Sequence, residues 1–130
     1  MKSRVFMSAA ALAALLSVAA IAEAGTRWAY QVSISDVSRY AVGTTTDARG
    51  SADVNQSIGC NHNTTFASCY ATNSAGLSRS CTTSNAALID VIRSIGSESY
   101  IYFTWNTDGT CNYVLVENSS RWKPASASGL

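Results

Sequence analysis

The sequence predicts an α+β domain: an antiparallel sheet of about five strands with one packed helix, crosslinked by two disulfides. Three observations predict it. Four cysteines, Cys60, Cys69, Cys81 and Cys111, all follow an N-terminal leader. Several stretches alternate apolar and polar residues with the period of a half-buried strand, and one stretch, Ala87 to Ile95, repeats apolar residues at helical spacing.

The leader opens with Lys2 and Arg4, continues as an Ala-rich apolar run from Val5 to Ile21, and closes on Ala22-Glu23-Ala24. That is the pattern of a bacterial-type secretion signal cut after Ala24. A permanent membrane anchor is the alternative, but the run is interrupted by Ser8 and Ser17 and no stop-transfer charges follow. Removing residues 1–24 of 130 leaves 106, the length of one domain. That domain, residues 25–122, is expected to be soluble, with 123–130 as a disordered tail. An even cysteine count in a small exported domain is expected to be paired in an oxidising compartment, periplasm or medium.

Residues 28–34 alternate, with Trp28, Tyr30, Val32 and Ile34 on one side, and read as a strand. A shorter apolar stretch around Val37, Tyr40 and Val42 follows, and Gly43 to Gly50 reads as a polar loop. Val54, Ile58 and Cys60 fall in phase, and after Asn61-His62-Asn63 so do Phe66, Ser68 and Tyr70, which suggests two antiparallel strands. Cys60 then lies nearly opposite Cys69. A second turn signal, Asn73 to Gly76, brings Cys69 toward Cys81 by the same logic.

Thr83 or Ser84 is positioned to cap a helix whose apolar stripe is Ala87, Leu88, Val91, Ile92 and Ile95, with Gly96 as its stop. The last hairpin spans 99–118 and turns at Asp108-Gly109. A two-residue loop there places Trp105 opposite Asn112, Phe103 opposite Val114, Ile101 opposite Val116 and Tyr102 opposite Leu115. Both faces are apolar, so this hairpin belongs inside a layered structure. The same register puts Cys111 on the side of Tyr100, Tyr102, Tyr113 and Leu115. Three disulfide connectivities are possible; Cys60–Cys69 with Cys81–Cys111 is favoured, because the second bridge ties the helix start to the hairpin.

Beyond residue 24, seven basic and seven acidic residues balance and are scattered along the chain. Nucleic-acid binding needs a clustered basic face, so no nucleic-acid partner is expected. No second apolar run is long enough to span a bilayer. Cys60, His62, Cys69 and Cys81 lack the paired short spacing of zinc ligands, and no cofactor motif occurs, so neither metal nor cofactor is expected.

Catalytic chemistry has thin support. His62 is the sole histidine, and there is no Gly-x-Ser-x-Gly nucleophile elbow. A small hydrolase would have to pair His62 with an acid such as Asp47 or Asp53. The aromatic residues are more informative: Tyr100, Tyr102 and Tyr113, with His62, form the candidate binding set, since tyrosine joins an apolar body to a polar tip. The function expected is a secreted non-catalytic module that binds a protein or glycan outside the cytoplasm. An inhibitor of a secreted protease or lysozyme, acting through the Asn61–Thr65 loop, is the second reading.

Gly43 to Cys60 (GTTTDARGSADVNQSIGC), Cys69-Tyr70-Ala71 with Gly76 and Cys81, the Tyr-Ile-Tyr-Phe hairpin with Cys111, and the Val-Glu-Asn-Ser-Ser ending also carry a resemblance. In these segments the chain resembles a group of small secreted proteobacterial proteins of uncharacterised function with four cysteines. The resemblance implies a shared fold and export; it brings no activity and no site residue.

Overall fold

The computed structural model describes residues 26–123. The expected leader lies outside them, as does the tail expected over 123–130 except for its first residue, Lys123, whose carbonyl accepts from Arg27 Nε at 2.9 Å. The elements in chain order are β1 (Ser33–Ser35), β2 (Tyr40–Thr44), α1 (Thr45–Arg49), β3 (Ser57–His62), β4 (Ala67–Thr72), β5 (Ser78–Thr83), α2 (Ala86–Ile92), β6 (Ser99–Trp105) and β7 (Cys111–Asn118), closed by a 3₁₀ turn at Ser120–Trp122.

Among the described residues, seven strands form two antiparallel sheets, β1-β2-β6-β7 and β3-β4-β5, where a single sheet of about five strands was expected. The reason lies in the last hairpin. Its inner face carries Ile101, Phe103 and Val114, all buried, and α2, at seven residues, is only about 10 Å long. So short a helix cannot cover a four-stranded sheet, and the β3–β5 meander supplies the rest of the second layer. One core cluster joins Ile101, Phe103, Val114, Ile89 and Ile92 to Ala67, Cys69, Ala71 and Cys81 of the meander.

The meander meets that core with small residues. Cross-strand partners share a face, so its inner rows are Ile58–Ala71–Arg79, Cys60–Cys69–Cys81 and His62–Ala67–Thr83. Phe66, Ser68 and Tyr70 therefore point outward, the reverse of the apolar phase read from the sequence; Ala67, Cys69 and Ala71 are the buried set. Bulk goes outside because the inner face must close on the opposite sheet around two crosslinks. Val54, expected in β3, is fully exposed in the preceding loop. On the outer face Tyr70 lies over Gly59, where a Cβ would sit 2.9 Å from the phenol oxygen.

The disulfides are Cys60–Cys69 and Cys81–Cys111, the pairing favoured from the sequence. Cys81–Cys111 links the two sheets, and beside it the Thr82 N–H donates to the Gly109 carbonyl at 3.1 Å. Such crosslinks are compatible with an oxidising compartment. Among the described residues no helix is long and apolar enough to cross a membrane.

Three local expectations change. Gly43–Gly50 is not all loop: α1 forms there because the Thr44 side chain accepts from the Asp47 N–H while Asp47 accepts from the Thr44 hydroxyl, a reciprocal cap. The cap of α2 is Asn85, whose Oδ1 accepts from Ala87 (2.9 Å) and Leu88 (3.2 Å), while Thr83 ends β5. That helix stops at Ile92, before Gly96, as its last bonds tighten to Val91–Ser94 and Ile92–Ile95. Its buried residues are Ile89 and Ile92, and Val91 faces solvent. The strand expected over 28–34 pairs only from Ser33; before it, the chain is held by Thr44 N–H to Tyr30 carbonyl (3.1 Å) and Trp28 N–H to Arg121 carbonyl (2.9 Å).

Candidate functional site

The register of β2, β6 and β7 builds an aromatic outer face. Tyr40, Thr104 and Tyr113 form one cross-strand row; Val42, Tyr102 and Leu115 form the next; Thr44, Tyr100 and Glu117 form the third. Their sequence neighbours Ala41, Ile101, Phe103 and Val114 are buried, which assigns the rows to the opposite face. Tyr40 stacks on Tyr102 with ring centroids 5.7 Å apart, and Tyr102 meets Tyr113 edge-on at 6.1 Å. Tyr100 and Tyr102 are half-buried, and Tyr113 is 47% exposed.

A second aromatic run adjoins the first. Tyr30 meets Tyr100 edge-on at 5.3 Å, Tyr100 stacks on Trp122 at 5.1 Å, and Trp28 abuts Trp122 at 6.2 Å. The Arg121 guanidinium caps the run, 4.7 Å from the Trp28 ring centroid. Trp122 is buried and its Nε1 has no partner among the described residues. Burial raises the pKa of Tyr100, and the neighbouring Tyr30, Tyr102 and Glu117 push it further the same way, so its hydroxyl remains a donor.

Asp47 anchors the N-terminal segment beneath this run. Its side chain is 5% exposed and accepts from Arg27, the Thr44 hydroxyl and the Tyr30 N–H (2.9 Å). Burial opposes its ionisation, but the bonds from Thr44, Tyr30 and Arg27, with the charge of Arg27, outweigh that and hold the carboxyl below its usual range. Asp53 is engaged elsewhere: Oδ1 accepts from the Asn55 and Gln56 N–H groups at 3.0 Å each and Oδ2 from Gln56 Nε2 at 2.7 Å. The Gln56 hydrogen bond first, then those backbone groups, lower its pKa.

The three tyrosines of the candidate set therefore come together, and His62 does not join them. It is exposed at the end of β3, opposite Ala67 on the other sheet. Among the described residues no hydrogen bond links His62 to Asp47 or Asp53, and no cluster of His, Cys, Asp and Glu is arranged to hold a metal. The His62 loop is a hairpin tip: residues 61–66 are all exposed, Asn63 Oδ1 accepts from the Thr65 and Phe66 N–H groups, and Cys60–Cys69 closes the base.

Cys111 is not on the tyrosine side. The last turn is a three-residue loop, Thr107–Gly109, with Gly109 at φ 86°, Gly109 N–H bonded to the Asn106 carbonyl and Asn106 N–H to that of Thr110. Trp105 thus pairs with Cys111, and Asn112 is absorbed as a bulge before the expected register resumes at Thr104–Tyr113. That single extra residue turns Cys111 inward, where it is buried and reaches Cys81.

Tyr40 is the member of the face that sequence reasoning left out. Its signal was the alternation Tyr40, Val42, Thr44 along β2. Comparison with family models, curated proteins and solved structures gives no match.

Proposed function

We propose that the chain is a secreted, non-catalytic module that recognises a partner protein through the aromatic outer face of the four-stranded sheet. One observation carries the reading: Tyr40, Tyr102 and Tyr113 form a continuous contact chain across three strands, with Tyr113 about half exposed and Thr104 between Tyr40 and Tyr113 in their row. Tyrosine edges with free hydroxyls suit protein interfaces, where one side chain supplies both apolar area and hydrogen bonds. Tyr40 and Tyr102 cover each other's ring faces, which leaves less flat surface for stacking on a sugar. Export of the chain rests on its leader and on the oxidised cysteines.

The test is capture by the immobilised oxidised chain from envelope, culture-supernatant and glycan fractions. A protein is expected to be retained, with Tyr113→Ala and Tyr102→Ala each weakening retention by about tenfold or more and His62→Ala leaving it unchanged. Retention of glycan alone, or equal retention by the tyrosine variants, contradicts the reading.

The hairpin tip supports a second reading, inhibition of a secreted hydrolase. Six consecutive exposed residues held by an Asx turn and a disulfide are preorganised for insertion into an active-site cleft. Alanine substitution of Asn61 to Thr65 should then abolish inhibition of a protease or lysozyme panel while the tyrosine variants retain it.

A further inference from the structure

The four cysteines form one continuous path from the edge of the three-stranded sheet to β7. Cys60 of β3 faces Cys69 of β4, and Cys69 faces Cys81 of β5 in the same inner row. Cys69 is bonded to Cys60, and Cys81 is bonded across to Cys111. Directly opposed residues of an antiparallel pair lie about 4.5–5.5 Å apart at Cα, within the reach of a disulfide, so Cys69 is placed to bond either neighbour without a change of register. Access to the path is one-sided. Cys69, Cys81 and Cys111 are 0%, 1% and 7% exposed, whereas Cys60, on the edge strand β3 and next to the exposed Asn61, is only half-buried. A thiolate from outside therefore meets the Cys60 sulfur first.

We infer that Cys60 is a modification site for a low-molecular-weight thiol and the entry point of a disulfide relay that unties the two sheets. The incoming thiolate sulfur bonds Cys60 Sγ, the Cys60–Cys69 bond breaks, and its electron pair leaves on Cys69 Sγ. Cys69 Sγ then bonds Cys81 Sγ, the Cys81–Cys111 bond breaks, and the pair leaves on Cys111 Sγ, which takes up a proton in place of the one the incoming thiol released. Two disulfides are broken and two are made, Cys60 with the small thiol and Cys69 with Cys81, so no oxidant or reductant is consumed. Burial gives the relay its direction. A thiolate stranded at Cys69 is disfavoured in the core, whereas Cys111 is the least buried of the three and adjoins the exposed Thr110 of the last turn, where water reaches the charge. The new bond lies wholly within the three-stranded sheet, which leaves the Thr82–Gly109 hydrogen bond and apolar packing to hold the sheets together. The relay does not depend on what the tyrosine face binds.

Treatment of the oxidised chain with equimolar glutathione, followed by alkylation and peptide mapping, is expected to find glutathione on Cys60, a Cys69–Cys81 crosslink and the alkyl group on Cys111. The Cys60→Ser variant tests the second step without any added thiol: its Cys69 thiol should exchange with Cys81–Cys111, giving Cys69–Cys81 crosslinks with Cys111 alkylated. Hydrogen exchange across β3–β5 of the glutathione-treated chain should quicken by about tenfold or more as the tie to β7 is lost. Glutathione on Cys81 or Cys111, Cys69 alkylated beside an intact Cys81–Cys111 bond, no reaction at Cys60, a Cys60→Ser chain holding only Cys81–Cys111, or unchanged exchange in the meander would each overturn the inference.

Discussion

The four-stranded sheet fills its inner face with Ile101, Phe103 and Val114 and layers tyrosines on its outer face, whereas the three-stranded sheet offers Ala67, Cys69, Ala71 and Cys81 inside and mainly Ser and Thr outside. The first can be held by apolar burial, because each large side chain removed from water contributes roughly 1.5–3 kcal/mol. The second buries little area per residue, and covalent links replace it: one disulfide within the meander and one to the other sheet. The difference teaches that side-chain burial holds one sheet and crosslinking the other. The sheet with burial to spare is the one whose outer aromatic face is half open.

The largest expected effect is in the four-stranded sheet. Phe103 is fully buried, and Phe103→Ala should cost about 3–5 kcal/mol by urea unfolding. Ala71→Gly, the corresponding truncation in the meander, should cost only about 1 kcal/mol. Equal costs would erase the contrast.

Removing the crosslinks should reverse the ranking of the sheets. Cys81–Cys111 closes a span of 30 residues and Cys60–Cys69 one of 9; the loop-entropy argument gives about 3.5 and about 2.5 kcal/mol respectively. The Cys81→Ala/Cys111→Ala double variant should therefore melt lower than Cys60→Ala/Cys69→Ala in calorimetry. Hydrogen exchange in the first should rise in β3–β5 before it rises in β6.

A smaller, pH-dependent effect belongs to Asp47. Its folded pKa lies below the ordinary carboxylate value, so its contribution is complete above about pH 4 and is lost as pH falls through the lowered folded value. Asp47→Asn is expected to cost about 2 kcal/mol at neutral pH. The gap to the unsubstituted chain should shrink on acidification to about pH 3, as urea titrations at the two pH values will read.

Much of the local pairing was legible in the sequence. The Phe103–Val114, Ile101–Val116 and Tyr102–Leu115 pairs follow from alternation and a glycine turn, and the disulfides are the pairing favoured among three, although Cys111 reaches Cys81 from the inner face and not from the tyrosine side. What alternation could not show was the division into two sheets, which depends on how much inner surface a short helix leaves uncovered. The inward phase of Ala67, Cys69 and Ala71 was hidden because the larger Phe66 and Tyr70 point outward, against the usual rule. The three tyrosines were recognisable as one group; Tyr40 was not, since its place beside Tyr102 comes from the non-local pairing of β2 with β6.

Cys69 lies directly opposite both Cys60 and Cys81 in the sheet, so strand register alone permits either bond. Peptide mapping of the non-reduced protein by mass spectrometry distinguishes them and tests whether a covalent tie between the sheets holds the meander in place. Crosslinked peptides joining Cys60 to Cys69 and Cys81 to Cys111 are predicted. A Cys69–Cys81 peptide, or free thiols at these positions, would leave the small sheet without its tie and contradict the account.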